Sequence, residues 1–217
     1  MSTLDRPRRQ PGRSRRGARS LASRTDGPGV HGRQNGRRVA GPTRREIGIP
    51  TAFNLLGPLT NPAQPSAALV GCAHVRLAPI LAEVLAGRGF SVLVVHGDDG
   101  LDEITTTAAT DVAELRAGEV RRFRVEPEAL GLSRCSLAEL QVTSAEESAE
   151  VIRTVLSGRP GPARDIVILN AGAAIYAADR APSLGDGIAA ARSAIDSGRA
   201  REILERVACE SRAGVSA

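Results

Sequence analysis

The chain has 217 residues, of which 41% are hydrophobic and only 2% aromatic, so its core must be built from Ala, Val, Leu and Ile. This composition favours helices packed on a buried sheet over an aromatic-rich β-sandwich. The sequence contains no apolar run of about 18 residues, which excludes a membrane-spanning helix.

The cysteines and the N-terminal composition indicate the cellular compartment in which the protein resides. Cys72, Cys135 and Cys209 are far apart, and none has a second Cys or His at metal-ligand spacing, which argues against a zinc site and a disulfide framework. No apolar stretch follows the basic N-terminus, which argues against a secretory signal. We therefore expect free thiols and a cytoplasmic protein.

Positive charge is concentrated in residues 1–40. This stretch contains eleven arginines and two aspartates, a net charge of +9, whereas the rest of the chain carries −4 of the overall +5. Its like charges, glycines and prolines predict an arginine-rich, disordered leader outside the folded part of the chain. We interpret it as the product of a misplaced start codon or a frameshift, because the whole chain lacks lysine and an arginine-only leader is therefore weak evidence for selected basicity. The mildly acidic remainder is atypical of nucleic-acid-binding proteins.

The sequence of residues 41–66 is typical of the end of a helix followed by a segment that connects two domains. Gly48 and Pro50 end the helix that contains Arg44. Two prolines and a glycine then follow within Gly57–Pro62, which predicts a stiff segment crossing between domains. We interpret Asn54 and Asn61 as structural residues that cap turns in this segment.

The sequence pattern of residues 67–217 predicts a partial α/β domain, in which helices flank a mixed or parallel sheet. We expect two strands, at Ala67–Cys72 and Phe90–Val95, with a helix at Leu77–Leu85 between them. We also expect a β-hairpin whose strands are Asp111–Leu115 and Glu119–Val125 and whose turn is at Gly118. A capping box of Ser144 and Glu147 predicts a helix that ends at Gly158. Three further helices are expected at Asp165–Ala178, Ile188–Ile195 and Arg199–Cys209.

The strongest chemical signal is an acidic loop directly after the second predicted strand. It contains four carboxylates, namely Asp98, Asp99, Asp102 and Glu103. Ligands of open α/β sheets bind beyond the carboxyl ends of strands, and the adjacent carboxylates Asp102 and Glu103 suit Mg²⁺. Spacing alone leaves open a solvated acidic turn without a ligand. His96 is interpreted as a hydrogen-bonded loop histidine, and His74 as structural.

Two blocks of sequence carry a resemblance to a known family. The block Arg44–Ala63 reads RREIGIPTAFNLLGPLTNPA, and Val95–Glu103 reads VHGDDGLDE. Together they resemble the anthranilate phosphoribosyltransferases, and the similarity runs from about Gly41 to the C-terminus. The resemblance implies the C-terminal domain type of nucleoside phosphorylases and phosphoribosyltransferases, here incomplete. It implies transfer of phosphoribose from phosphoribosyl pyrophosphate to anthranilate, in tryptophan synthesis.

The resemblance also implies roles for three residues. Asp102 and Glu103 bind Mg²⁺ together with the pyrophosphoryl donor, and Arg44 contacts the carboxylate of anthranilate. A planar guanidinium suits a carboxylate because it donates two parallel hydrogen bonds. A homodimer is implied as well. We assign no catalytic residue.

The sequence departs from the family pattern upstream of residue 41. The family's glycine-rich phosphate loop and its Lys-His-Gly-Asn-Arg segment are not found, and we treat a faint echo at Val30–Arg37 as coincidence. We therefore expect this chain alone to have little or no transferase activity. Two alternatives remain open: a related pyrimidine nucleoside phosphorylase-like transferase, and a nucleic-acid-binding protein that uses its arginine-rich leader.

Overall fold

The computed structural model describes residues 65–86 and 91–213, with side chains as far as residue 211. The elements within these ranges are β1 (Ala67–Gly71), α1 (Ala78–Ala86), β2 (Ser91–Gly97), β3 (Thr110–Arg116), β4 (Glu119–Val125), α2 (Ala145–Leu156), α3 (Pro162–Ala177), α4 (Leu184–Asp196) and α5 (Arg199–Ala213). The predicted leader and nearly all of the predicted crossing segment lie outside the described residues, so both stay predictions.

The four strands form one mixed sheet in the order β1-β2-β3-β4. β1 and β2 are parallel, whereas β2 pairs with β3, and β3 with β4, in antiparallel fashion. The parallel pair is joined by α1, as parallel neighbours require a crossover. The predicted α/β class with a mixed sheet is therefore confirmed.

Strand β2 is buried on both faces, as its unbroken apolar sequence predicts. Val92, Leu93, Val94 and Val95 are each at most 2% exposed. Leu93 and Val95 belong to a cluster with apolar residues of α2, α3 and α4, while Val92 and Val94 belong to a cluster with α1. Alternation of side chains along the strand thus divides the core into two layers, and the end of β2 is fixed from both sides.

The predicted hairpin is confirmed. β3 and β4 are joined by Ala117 and Gly118, whose φ angles are +52° and +84°. Two consecutive left-handed residues are typical of the tight turns that match the twist of a hairpin. The turn therefore lies at the predicted place.

The helices predicted within the described residues are all present, but several begin at other residues, and the predicted helix that ends at Gly48 lies outside the described residues. α3 begins at Pro162 and α4 at Leu184, whereas we expected Asp165 and Ile188. The capping box that was predicted at the start of α2 is only half right. The Ser144 side chain accepts a hydrogen bond from the Glu147 backbone N–H, but the Glu147 carboxylate accepts from the Thr143 N–H, one residue earlier than expected. None of the helices in the described part of the chain is long and apolar enough to cross a lipid bilayer.

Helices α3 and α4 approach closely where two glycines face each other. A Cβ on Gly172 would lie 2.6 Å from the backbone nitrogen of Ile188, and one on Gly187 would lie 2.3 Å from the carbonyl oxygen of Gly172. Neither distance is compatible with a side chain unless the backbones move apart. The absence of two side chains therefore sets the distance between these helices.

A buried carboxylate ties the hairpin to α3. Glu114 is 2% exposed, and it accepts hydrogen bonds from the Tyr176 hydroxyl (2.8 Å), Arg116 Nε (3.0 Å) and Arg121 Nη2 (3.0 Å). Burial and this hydrogen bond to Glu114 raise the pKa of Tyr176. A buried charge is tolerated when it is paired and hydrogen-bonded in this way. The cluster lies at the opposite end of β3 from the acidic loop.

The close contact between α3 and α4 at their glycines can be tested by a glycine-to-alanine substitution, which adds one methyl group. Replacing Gly187 by alanine should destabilise the fold by about 1–3 kcal/mol, because overpacking forces the helices apart. Gly185 on the same helix is the matched control, since the nearest atom to an added Cβ is 3.8 Å away. Gly185→Ala should be neutral or stabilising by up to about 1 kcal/mol. Urea unfolding measures both changes, and equal effects of the two substitutions would contradict the packing argument.

Candidate functional site

The acidic loop leaves the carboxyl end of β2 in a compact backbone arrangement. The Gly97 N–H donates to the Leu101 carbonyl (2.8 Å), and the Gly100 N–H donates to the Gly97 carbonyl (2.9 Å). Gly100 has a φ of +89°, a conformation that favours glycine. The Asp98 N–H donates to the Ala109 carbonyl (2.9 Å), which joins the loop to the start of β3. The loop is therefore closed upon itself, and its direction is set by β2.

Two of the four carboxylates in the loop are engaged by neighbouring groups. Asp98 forms an exposed ion pair with Arg124 of β4, at 2.5 Å. Asp99 accepts hydrogen bonds from the Leu101 N–H (3.0 Å), the Thr105 hydroxyl (2.7 Å) and the Thr107 hydroxyl. Partial burial raises the pKa of Asp99, but these hydrogen bonds together lower it more, so that its pKa lies below the ordinary value. Both side chains therefore hold the loop together.

The other two carboxylates, Asp102 and Glu103, are exposed. Neither accepts a hydrogen bond from, or forms an ion pair with, any residue in the described ranges. Of the four acidic residues, these two adjacent ones are therefore available for a ligand. Four carboxylates within six residues repel one another unless other groups offset their charge, and here Arg124 pairs with Asp98 while hydroxyl and N–H groups donate to Asp99.

The donor set fits a hard divalent cation. Mg²⁺ takes one or two carboxylates and completes its octahedral shell with water and phosphate oxygens. Within residues 65–86 and 91–213, no group of three or more His, Cys, Asp or Glu side chains is placed to hold a metal ion. Two neighbouring carboxylates match Mg²⁺ held jointly with a phosphorylated ligand better than a cage made of protein side chains alone.

The end of β1 supports the loop from one side. A Cβ on Gly71 would lie 1.8 Å from the Asp102 carbonyl oxygen, so the two backbones are in direct contact. His96 Nδ1 hydrogen-bonds to the Cys72 carbonyl (2.8 Å), which confirms that His96 is hydrogen-bonded, but His96 lies in β2 and not in the loop as expected. His74 precedes a 3₁₀ turn, and its side chain makes no capping hydrogen bond. Sequence reasoning missed Gly71, although a glycine ending a strand is a known sign of close backbone approach.

A threonine-rich segment and α3 support the loop from the other side. Thr105, Thr106 and Thr110 are fully buried, and the Thr105 N–H donates to the Thr110 hydroxyl (3.1 Å). The Asn170 side chain binds both backbone polar groups of Ile104. Sequence reasoning did not assign a role to any of these residues. Asn170 lies within the family-like part of the chain, but nothing in the local sequence indicates its contact with Ile104, 66 residues away.

Arg44 lies outside the described residues, together with the whole block Arg44–Ala63. The structure therefore brings together Asp102 and Glu103 but does not test the assignment of Arg44 to an anthranilate carboxylate. That assignment stays a prediction.

Residues 31–201 match a family model described as the glycosyl transferase family, a/b domain. The match begins ten residues before the expected boundary at Gly41, so it overlaps residues 31–40 of the predicted leader, which include most of the Val30–Arg37 echo. The boundary itself stays a prediction.

Curated relatives that share one name support the same family assignment. The chain is 51% identical to the anthranilate phosphoribosyltransferase of Mycolicibacterium vanbaalenii, covering 78% of this chain and 48% of that protein. It is also 51% identical to that of Nitrosomonas europaea, covering 76% of this chain and 49% of the relative. The chain thus spans about half the length of the curated relatives it matches, and the resemblance read from the sequence is confirmed.

Solved structures give the same result for the fold. The crystal structure of anthranilate phosphoribosyltransferase from Thermus thermophilus superposes with a TM-score of 0.72 at 42% identity, covering 78% of this chain and 50% of that one. The Saccharomyces cerevisiae enzyme, in a structure with PRPP and Mg, superposes with a TM-score of 0.72 at 29% identity, covering 79% and 50%. The described sheet and helices therefore have the architecture of half of these proteins.

The role of Asp99 in holding the loop can be tested through pH. Asp99→Asn should lower the free energy of unfolding at pH 7 by about 1–2 kcal/mol, because hydrogen bonds to a charged acceptor are lost. Since the folded-state pKa is lowered, the carboxylate stabilises the fold above its unfolded pKa of about 3.9. That stabilisation is lost as the pH falls through the lower folded-state pKa.

The difference between wild type and Asp99→Asn should therefore shrink in urea unfolding as the pH is lowered below about 4. Asp98→Asn is the control, because an exposed ion pair contributes only about 0–1 kcal/mol. A difference between wild type and Asp99→Asn that stays constant from pH 7 to pH 3 would show that Asp99 does not act through its charge.

Proposed function

Because the chain belongs to the glycosyl transferase family with an a/b domain, we propose that its function is anthranilate phosphoribosyl transfer, an early step of tryptophan synthesis, and that this chain alone has little or no turnover. Its acceptor is anthranilate and its donor is phosphoribosyl pyrophosphate, and pyrophosphate is released. The support is the name shared by relatives about 50% identical to this chain and by its structural neighbours. The observation that carries the proposal is the adjacent pair Asp102 and Glu103, which is exposed in the loop after a buried strand and is engaged by no residue within the described ranges.

The proposed reaction is a displacement at the anomeric carbon of the ribose. The bond between that carbon and the pyrophosphate oxygen breaks, and a bond to the anthranilate amine nitrogen forms. The amine loses a proton to solvent, and pyrophosphate leaves with the bonding electron pair. Negative charge therefore grows on the leaving group while the sugar becomes cation-like.

Asp102 and Glu103 are proposed to hold Mg²⁺ together with the donor's pyrophosphate. When bound, Mg²⁺ supplies electrostatic stabilisation of the charge on the leaving group. The protein's contribution is to present two carboxylates that no other described group neutralises. Arg124 and the threonines engage Asp98 and Asp99, which keeps the remaining pair oriented on a closed loop. The structure of the Saccharomyces cerevisiae enzyme in complex with PRPP and Mg supports this choice of cation.

Arg44 is proposed to bind the acceptor. Anthranilate carries a carboxylate beside its amine, and a guanidinium donates two parallel hydrogen bonds to such a group. Holding that carboxylate would orient the amine nitrogen towards the anomeric carbon, which lowers the entropic part of the barrier.

The cellular setting is part of the same proposal. Cys72, Cys135 and Cys209 are free thiols, as is usual in the reducing cytoplasm, and we place the protein there. The resemblance further implies a homodimer, whose mass light scattering would measure. Binding to nucleic acid or to membranes forms no part of the proposal.

The proposed metal ligands Asp102 and Glu103 can be tested by substitution, with the neighbouring carboxylate Asp98 as the control. Asp102→Asn and Glu103→Gln should each weaken binding of phosphoribosyl pyrophosphate in the presence of Mg²⁺ by about ten- to a hundredfold, since a charged ligand is lost. Asp98→Asn removes the same charge from the same loop, but from a side chain paired with Arg124, and should change affinity by less than about threefold. Isothermal titration calorimetry with and without Mg²⁺ measures these affinities.

Equal weakening by all three substitutions would mean that only the net charge of the loop matters. Unchanged Mg²⁺-dependent binding in both Asp102→Asn and Glu103→Gln would refute the metal site.

The acceptor assignment has its own test. Arg44→Lys keeps the positive charge but removes the forked donor, and should weaken anthranilate binding by about tenfold. Arg45→Lys, at the adjacent position, is the matched control and should bind anthranilate like wild type. The intrinsic fluorescence of anthranilate reports its binding on titration with protein. If Arg44→Lys and wild type bind anthranilate equally tightly, Arg44 is not the carboxylate ligand.

A further inference from the structure

The side chain of Asn170, on helix α3, reaches the backbone that follows the acidic loop. Its Oδ1 accepts a hydrogen bond from the Ile104 N–H (3.0 Å), and its Nδ2 donates to the Ile104 carbonyl (2.8 Å). One side chain thus satisfies both polar groups of one peptide residue, as a neighbouring strand would. The orientation of the amide is defined, because the Ile104 N–H needs an acceptor and the carbonyl needs a donor.

Asn170 is itself fixed to its helix. Nδ2 also donates to the Ile166 carbonyl, one helical turn earlier, at 3.0 Å. Helix α3 in turn is locked against α4 by the contact between Gly172 and Gly187. The amide therefore has little freedom to follow the loop if the loop moves, and it acts as a fixed anchor.

No other described residue performs this task at Ile104. In the described ranges, the backbone N–H and carbonyl of Ile104 make no hydrogen bond except those to Asn170. The Ile104 side chain is fully buried in the same apolar cluster as Leu169, the neighbour of Asn170 on α3. Apolar packing and paired hydrogen bonds therefore hold one residue at one place.

The anchored residue is next to the two unengaged carboxylates. Ile104 directly follows Glu103 and is two residues after Asp102. The backbone of Asp102 contacts Gly71 of β1 on the other side. The Asp102–Glu103 backbone is thus held from two directions, although neither carboxylate forms a hydrogen bond or an ion pair with a described residue.

We propose that Asn170 is a positioning residue for Asp102 and Glu103, fixing their backbone so that both carboxylates reach one divalent cation. This inference rests on the proposed function, because it takes that pair to be the metal ligands. The side chain contacts neither cation nor substrate; it acts through the Ile104 peptide groups. Groups that orient metal ligands affect metal affinity by about 10–100-fold when they are removed.

Mn²⁺ serves as the probe, because its unpaired electrons broaden the NMR signals of nearby backbone amides and so report even weak binding to the full chain. Asn170→Ala should raise the Mn²⁺ dissociation constant by about tenfold or more. Asn170→Asp, which loses the two donated hydrogen bonds but keeps the size of the side chain, should weaken binding as well. It also serves if the alanine variant does not fold.

Tyr176→Phe is the control for a merely structural role. It removes another hydrogen bond made by α3, the one to Glu114, at the opposite end of β3. It should lower the melting temperature without changing the Mn²⁺ dissociation constant. Equal weakening of Mn²⁺ binding by Tyr176→Phe and Asn170→Ala would overturn the proposal.

Two further results separate this proposal from the proposed function. If Asp102→Asn weakens Mn²⁺ binding while Asn170→Ala leaves it within twofold of wild type, Asn170 is not a positioning residue and the metal site stands. If Asp102→Asn and Glu103→Gln both leave Mn²⁺ binding unchanged, the metal site and this proposal fall together. In the unaltered protein, the Ile104 amide should exchange with deuterium more slowly than those of Asp102 and Glu103; equal rates would also overturn the proposal.

Discussion

The burial of β2 on both faces is the constraint on which the rest of the described structure depends. Val92 to Val95 are at most 2% exposed, because α1 covers one face of the sheet and α2, α3 and α4 cover the other. Burying four such side chains stabilises the fold by several kcal/mol in total, at about 1.5–3 kcal/mol each. A strand held in this way has no freedom to slide, since a shift by one residue would exchange the two apolar layers. The point at which the chain leaves the sheet, Gly97, is therefore fixed, and the acidic loop begins there.

The hydrogen-bond and ion-pair partners of each carboxylate then determine whether it serves the fold or is available for a ligand. Glu114 is buried and has three hydrogen-bond donors around it, so it serves the packing of the hairpin on α3. Asp98 is exposed and Asp99 is half-buried, and each is engaged by a residue that closes the loop. Asp102 and Glu103 alone in the loop are exposed and unengaged by any described residue. Their availability follows from what surrounds them and not from their residue type, which all four loop residues share.

The sequence predicted what depends on neighbours along the chain. The apolar run of β2, the Gly118 turn and the N-cap at Ser144 are local signals, and all were found where expected. Contacts between distant residues could not be predicted. Asn170 binds a residue 66 positions away, and Gly71 meets Asp102 only because β1 and β2 are parallel neighbours. Helix starts were misplaced where capping information was overlooked: Ser183 caps α4 through the Asp186 N–H, and Pro162 at the start of α3 suits a first-turn position.

The arrangement around Ile104 bears on whether the acidic loop is an ordinary solvated turn. A solvated turn needs no fixed backbone, because water satisfies its carboxylates in any orientation and loops of that kind are mobile. Here the backbone beside the two exposed carboxylates is held by Gly71 on one side and by Asn170 on the other. Fixing a backbone lowers its conformational entropy at a cost of about 1–2 kcal/mol per residue. The Asn170 hydrogen bonds and the burial of Ile104 offset that cost, and the resulting fixed backbone suits carboxylates that must meet a ligand in one geometry, as two oxygens that share an octahedral cation must. The backbone contacts on both sides of the loop, and not its charge alone, therefore support our proposal of a ligand site over a solvated turn.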